Sequence, residues 1–433
     1  MKIKYWLKGI LLFSSFFTLS LQAGQHTLTI NEIIELTLKH SPDIDSSRFD
    51  FEAAKQRTRS AEGFYLPSVD LSANAGKQHN GFQSNSINTD LLMGTLGASQ
   101  LLYDFGKTSG FVGSTKEEAL TYKAQMEQII SDKIYDVKKA YYDILKAKSI
   151  IDVQYKNVEL QAQQLNRAQK YLLSGIKTII DVSDAQVQVE QAKLDLENAK
   201  YDLELRRAIL EELIGLVPYN GNYSLYSKKL SLPNLSRNLP SLHISLGKLE
   251  SFAYTHRYAM QSTIHNIRGA QSNVESSKGD YYPTLSVGAN YTAQHVDDSA
   301  GLPLPERQGQ IAVQMNWNLF SGYQTDAKVQ EAKIAVLKAS SQQQAVKLAI
   351  KRQVVDSYIG VRRSKKNVDL SESIAKASLK KFDQAQKRYE NDLSDYVELQ
   401  DAQQGYIQAL SDLVTAYYDY YISLAQLDHS IGR

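Results

Sequence analysis

The 433 residues contain no cysteine, which excludes disulfides, thiolate chemistry and thiolate metal sites together. Proline is scarce at 8, leaving room for very long uninterrupted elements. An excess of either charge is also missing: 49 Lys and Arg face 47 Asp and Glu, without the basic surplus of a nucleic-acid binder. No GxSxG, HExxH, phosphate-loop or dinucleotide fingerprint occurs. The histidines (His26, His40, His79, His243, His256, His265, His295 and His429) show no ligand spacing, so neither catalysis nor a metal or cofactor is expected. After Gly24 no run approaches the ~18 apolar residues of a spanning helix. What is present is 42% hydrophobic residues, including 27 tyrosines, enough to build a core.

Residues 1–23 read as an export signal: Lys2, Lys4 and Lys8 precede an apolar run from Ile10 to Leu19, and Ala23 offers a small residue for cleavage. Its removal takes three lysines and no acid, moving the formal net charge from +2 to −1.

The remainder is written twice. A shift of 216 residues places Ala54, Ser60, Gly63, Tyr65, Pro67, Ala73 and Asn74 over Ala270, Ser276, Gly279, Tyr281, Pro283, Ala289 and Asn290. It also places His40 over His256 and Gly106 over Gly322. A shift of 217 aligns Ala168-Gln169-Lys170 with Ala385-Gln386-Lys387, Asp184-Ala185-Gln186 with Asp401-Ala402-Gln403, and Ile214-Gly215 with Ile431-Gly432. The expected organisation is a signal at 1–23, a first repeat at 24–216, a linker at 217–241 and a second repeat at 242–433. Each repeat predicts one helix (Thr29–Glu62; Leu242–Lys278), two strands, a very long helix (Thr108–Leu173; Gln324–Glu390) and a shorter one. At ~1.5 Å per residue the long helices would reach ~100 Å, which no compact globule accommodates.

The shorter helices carry a heptad seam. Val182, Val189, Leu196, Leu203 and Leu210 alternate with Ala185, Ala192, Ala199, Arg206 and Leu213. In the second repeat Leu399, Tyr406, Leu413, Tyr420 and Leu427 alternate with Ala402, Ala409, Ala416, Ser423 and Ser430. Large residues at one position and mostly small ones at the other predict closely packed long helices.

Four segments alternate apolar and polar residues: Val69 to Ala75, Leu92 to Ser99, Leu285 to Ala293 and Ile311 to Leu319. Their length suits membrane-crossing strands, although half-buried surface hairpins fit the pattern too. If they span lipid, four strands cannot close a barrel, and an open edge there leaves backbone groups unpaired at several kcal/mol each. Two copies would give eight strands with a filled interior, three would give twelve with room for a channel, and the polar faces favour three. The loops Lys77–Leu91 and Gln294–Arg307, with turn formers Asn80-Gly81 and Gly301-Leu302-Pro303, would face the side opposite the helices.

On these features the sequence resembles the TolC family of outer-membrane efflux and secretion channels over residues 25–433. The motifs are Tyr65-Leu66-Pro67 and Tyr281-Tyr282-Pro283 at strand starts, and Leu102-Tyr103-Asp104-Phe105-Gly106 and Leu319-Phe320-Ser321-Gly322 at strand ends. Thr178-Ile179-Ile180-Asp181-Val182 and Arg388-Tyr389-Glu390 lie near the helix turns. The resemblance implies a mainly α chain whose long antiparallel helices form an α-barrel, with four strands per chain in a shared twelve-stranded trimeric β-barrel. It implies a homotrimer in outer-membrane lipid extending into the periplasm, gated at the helix tips. It also implies docking to a periplasmic adaptor and an inner-membrane ABC or RND-type pump, with no nucleic acid and no cofactor. A soluble periplasmic coiled-coil scaffold or adaptor would explain the heptads but not the duplicated strands.

By the same resemblance Tyr389 matches the gating tyrosine and Glu398 and Asp401 the paired pore acids, with Asp181 and Asp184 as first-repeat counterparts. All four acids fall near helix starts, where simple capping explains carboxylates as well. In two departures from the family pattern, a usual glycine is kept as Gly175 but becomes Asp392 in the second repeat, and the basic partner of the gate falls on Ser394. Arg388 and Lys177 are the candidate substitutes.

Overall fold

The computed structural model describes residues 27–81, 86–176, 178–296 and 306–433, apart from 220, 222, 228, 229, 233, 237, 238, 243 and 392. The export signal, Lys177, Asp392 and the Gly301-Leu302-Pro303 turn therefore lie outside the described residues, as do His26 and His243.

A short β1 (Thr27–Leu28) leads into α1 (Ile30–His40) and α2 (Pro42–Glu62). A 3-10 turn then joins β2 (Ser68–Gly81), β3 (Ser86–Tyr103), α3 (Lys107–Leu173) and α4 (Ile179–Ile214). After β4 (Ser224–Leu225) come α5 (Leu246–His256), α6 (Tyr258–Gly279), β5 (Thr284–Val296), β6 (Arg307–Asn316), α7 (Gln324–Glu390) and α8 (Tyr396–Ile431). The chain is mainly helical. No helix among the described residues is long and apolar enough to cross a membrane.

The single opening helix expected in each repeat is two. Pro42 has no N–H to donate and starts α2 after Ser41, and at the equivalent place Arg257 takes an extended backbone between α5 and α6. Each break receives the end of a shorter helix. Gly215 and Gly432, at φ +83 in both, cap α4 and α8, and a Cβ on either would stand 2.2 Å from His40 O or 3.0 Å from His256 C. Arg257 is buried, and its guanidinium donates to His429 O (3.1 Å) and Gln353 Oε1 (3.0 Å), tying α6 to α8 and α7.

The long helices α3 and α7 are 67 residues each, and α4 and α8 are 36 each, all at a shift of 217. The α2 and α6 starts and the β2 and β5 starts keep 216. The one-residue drift thus falls between the strand starts and the corners that lead into α3 and α7. Those corners use consecutive left-handed residues, Phe105-Gly106 in one repeat and Gly322-Tyr323 in the other. Gly106 is therefore equivalent to Tyr323, which corrects the alignment of the two glycines. Asp104 Oδ2 accepts from Thr108 N (2.7 Å), and its counterpart Ser321 Oγ accepts from Thr325 N (3.3 Å). Just before the corners, Gln100 Nε2 and Trp317 Nε1 donate to Tyr65 O (2.8 Å) and Tyr281 O (3.1 Å).

Helix α4 packs on α3, α3 on α8 and α8 on α7, while nearer the sheet α2 packs on α3, α3 on α6 and α6 on α7. The heptad seam is the core: Val189, Leu196, Leu210, Leu399, Tyr406, Leu413, Tyr420 and Leu427 are buried, as are Ala185, Ala192, Ala402 and Ala409. Burial of each large side chain there contributes about 1.5–3 kcal/mol. The linker is pegged to this layer. Tyr141 and Tyr420 donate to Tyr226 O and Pro240 O, and Glu372 accepts from the backbone N–H of Leu235 (3.0 Å) and Ser236 (2.6 Å).

Apart from the short parallel pair β1-β4, the strands form one antiparallel sheet in the order β2-β3-β5-β6. They run further than the alternation suggested: much of the expected Lys77–Leu91 loop belongs to β2 and β3, whereas β6 stops at Asn316, before Trp317 and Leu319. Register places Leu71 beside Leu96, Leu96 beside Tyr291 and Ala289 beside Ile311 on one face. That face is apolar and uncovered, with Leu71 78% and Ile311 80% exposed. The opposite face carries Ser72, Asn74, Thr95, Asn290, Thr292, Gln310 and Gln314.

Candidate gate at the helix turns

Both helical hairpins end in the same backbone turn. After α3, Gly175 (φ +71) lets Ile176 N–H return to Tyr171 O at 2.9 Å. After α7, Leu393 N–H returns to Arg388 O at 2.8 Å, the equivalent bond.

The next helices start from equivalent caps. Thr178 and Asp181 form a capping box on α4, with Thr178 N–H donating to Asp181 Oδ2 at 2.8 Å. On α8 the cap is Asp395, which accepts from Glu398 N–H at 2.9 Å. The capping reading therefore describes Asp181, whereas Glu398 is itself the capped residue and its carboxylate points elsewhere. Asp184 and Asp401 lie in the second turn of α4 and α8, beyond the capping positions.

Ion pairs fasten these ends. Arg388 Nε lies 3.4 Å from Glu398 Oε1, and Lys381 Nζ 2.7 Å from Asp401 Oδ2, both joining α7 to α8. Arg388 is thus brought to one of the acids. Arg167 Nη1 reaches Glu390 Oε1 at 2.8 Å, linking α3 to α7 across the two hairpins. All but Arg167 are more than a third exposed, so each pair contributes at most about 1 kcal/mol. Sequence reasoning missed Arg167, Glu390, Lys381 and Asp395. Only Asp395 carried a local signal, as the residue three before Glu398.

Tyr389 is 2% exposed, with its ring 6.4 Å from that of Tyr171 and 6.1 Å from that of Tyr396. Burial, then Tyr389 and Asp184, push the Tyr396 hydroxyl up to about 12, and among the described residues that hydroxyl has no hydrogen-bond partner. Ser394 Oγ is likewise buried without one. The structure thus brings Tyr389, Glu398 and Asp401 to the α7–α8 turn, and Asp181 and Asp184 to the α3–α4 turn. Beyond both turns, Ile176 and Leu393, and Ile180 and Val397, are exposed at equivalent positions.

A duplicated chain of long paired helices hung from a sheet with an uncovered apolar face defines a membrane-channel class of protein. The outer membrane efflux protein family model matches residues 33–216 and 251–433. The chain belongs to that family, the TolC family, and is a protein of the outer membrane. It is 23% identical to the outer membrane protein TolC of Vibrio cholerae over 412 residues, covering 93% of this chain and 90% of that one. Its identity to the outer membrane efflux protein BepC of Brucella suis is 21% over 316 residues, covering 72% of this chain and 65% of BepC's length. The outer membrane protein VceC of Vibrio cholerae shares the fold at a TM-score of 0.79 and 17% identity, covering 93% of this chain and 96% of VceC. These relatives are outer-membrane proteins.

Proposed function

We propose that three copies of the chain close into a ring, forming a twelve-stranded barrel in the outer membrane that continues as a helical tube into the periplasm. The observation that carries this is the match of open edges. Among the described residues β2 and β6 are the sheet edges, β2 on the side of α2 and α4, β6 on the side of α7. One copy's β6 and α7 can therefore meet the next copy's β2, α2 and α4 throughout, a head-to-tail contact that closes by rotation. The edge helices also carry uncovered stripes: Ile180, Val187, Leu194 and Tyr201 at every seventh residue of α4, and Leu337, Leu348, Ile359 and Leu370 at every eleventh of α7. Such stripes are what a neighbouring helix covers. Charge agrees, with α7 holding 15 Lys and Arg against 7 Asp and Glu, and α4 holding 4 against 9.

In the ring the polar sheet face, nearly uncharged with Asp70 as its one acid among the described residues, lines a wet lumen and the apolar face meets lipid. The ten steps from Arg307 to Trp317 along β6 and its exit span ~34 Å, or ~25 Å at the usual strand tilt, the height of an outer-membrane apolar band. The helix tips are the gate. Tyr389 holds the α7–α8 turn, and Glu398 and Asp401 bring six carboxylates toward one axis, with Asp181 and Asp184 behind them. The chain is a passive exit duct for a periplasmic adaptor and an inner-membrane ABC or RND-type pump, serving type I secretion or drug efflux. The exposed Ile176, Leu393 and Val397 offer the adaptor an apolar contact at both turns. The 24–216 and 242–433 repeats supply alternate pieces of the wall, joined by 217–241.

The test is mass in detergent together with conductance in planar bilayers. A trimer giving small cation-selective steps supports the duct. A monomer without conductance overturns it in favour of a soluble scaffold.

A further inference from the structure

The lipid-facing side of the sheet ends, away from the helices, in a line of charge: Lys77 on β2, Asp90 on β3, His295 on β5 and Arg307 on β6. Lys77 and Asp90 share a rung and lie 3.4 Å apart. His295 pairs with Leu92, two residues nearer the helices, and Arg307 pairs with Ala293, two nearer again. All four are exposed. Below them the same face holds Ala75, Leu92, Ala293 and Tyr291, without charge.

The steps are not irregular. Four residues of descent over three strand spacings is ~13.5 Å in ~14.4 Å, a slope of roughly 43°, within the ordinary tilt of membrane strands. In a barrel tilted by that amount the four residues stand at one height, at the border of the apolar band. Around the ring, which this inference takes from the reading above, the order is Lys77, Asp90, His295, Arg307 and then Lys77 of the partner subunit. Asp90 pairs with Lys77 of its own chain on the side away from the seam. The cationic stretch therefore runs from Arg307 to Lys77 of the partner subunit, with the His295 imidazole beside Arg307 and neighbours one strand apart, and it forms only where two copies meet.

We propose that the phosphate of an anionic lipid headgroup seats at each of these seams, held by Arg307 and His295 of one chain and Lys77 of the partner subunit. The occupant follows from position and charge. The apolar side chains immediately below face acyl chains, so the polar group at this height is the headgroup, and two cations beside an imidazole complement a phosphate. An arginine fork and a lysine one strand apart place donors on two sides of one anion.

The experiment is native mass spectrometry of the full-length trimer titrated with dioleoylphosphatidylglycerol and, separately, with dioleoylglycerol, which lacks the phosphate. The wild type is expected to retain one phospholipid per seam and no diacylglycerol. Loss of each charge should weaken retention about fivefold, and K77Q/R307Q roughly thirtyfold. K77R/R307K should stay close to wild type, and mass and conductance of K77Q/R307Q should be unchanged. Equal retention by K77Q/R307Q, equal retention of diacylglycerol, or displacement by millimolar inorganic phosphate, which would mark a free-anion site, overturns the proposal. In each of those cases a conducting trimer leaves the ring standing, whereas a preparation that is no trimer removes ring and site together.

Discussion

Tyr389→Ala is the substitution that asks most of the gate. The ring is 2% exposed between Tyr171 and Tyr396, so removing it uncovers or empties ~150–200 Å² of apolar contact. At about 25 cal/mol per Å² that is ~4 kcal/mol, in line with the 3–5 kcal/mol typical of a buried aromatic cut to alanine. The site lies at the last turn of α7, against the start of α8, where exposed ion pairs hold the tip with much less energy. The loss should therefore act locally, moving the ratio of closed to open tips by up to about a thousandfold. Single-channel recording should show larger steps, or long open periods, in place of the small wild-type ones. Leu413→Ala is the control: that side chain is wholly buried on α8 several turns from the tip, so it should lower thermal stability by ~3 kcal/mol or more without widening the step. If Tyr389→Ala conducts as the wild type does, or Leu413→Ala opens as far, the aromatic stack is not what closes the duct.

Replacing Glu398 with Gln and Asp401 with Asn together should reduce cation selectivity and block by multivalent cations, and a channel that stays equally sensitive removes both from the pore ring. Glu372→Gln should speed hydrogen exchange at Leu235 and Ser236 by about tenfold or more, because its carboxylate accepts from both amides. Burial raises the pKa of Glu372, but hydrogen bonds from Lys376 and Ser236 outweigh it and hold the group at about 2. A depressed carboxylate stabilises the fold fully above its ordinary value near 4.5, so its share is lost as pH falls from there to about 2, and the Gln variant should lack that part of the acid-unfolding curve. Gly432→Ala should lower the melting temperature by the equivalent of about 2 kcal/mol, since it combines φ +83 with contacts of 3.0–3.2 Å to the backbone of His256 and Arg257. Gly360→Ala, in open space within α7, should raise it slightly.

Periodicity made most of the architecture legible. The heptads of α4 and α8 name most of the buried face, with Val182, Ala199, Leu203, Arg206, Leu213 and Ala416 only half-buried, and the α7 limits at Gln324 and Glu390 follow from the strand end and the turn. The break at Arg257 was hidden because nothing in Arg257-Tyr258 forbids helix. What bends the chain there is the docking of the α8 end around Gly432, a contact far away in sequence. Strand lengths were underread at β2 and β3 because Asn80-Gly81 looks like a turn, yet the ladder continues through both residues. At the tip, the sequence placed Tyr389 and the acids together but could not show that Glu398 faces Arg388 while Asp395 caps. Only the geometry of the turn decides which of two nearby carboxylates takes the helix N–H. Arg167 and Glu390 lie 223 residues apart, and no local pattern announces such a pair.

The equality of helix lengths has a further consequence. A single residue added to α3 or α7 would push its tip out by ~1.5 Å and swing every later side chain by ~100° around the axis. The seam facing α8, the ion pairs and the turn would all lose their partners at once. The two repeats have changed most of their residues and have drifted by one position in the stretch between strand start and corner, yet each has kept 67 and 36. Length in this protein is inherited more strictly than identity. Length changes in the helices should accordingly survive only as matched pairs that restore both height and phase, whereas the hairpin side can absorb single residues.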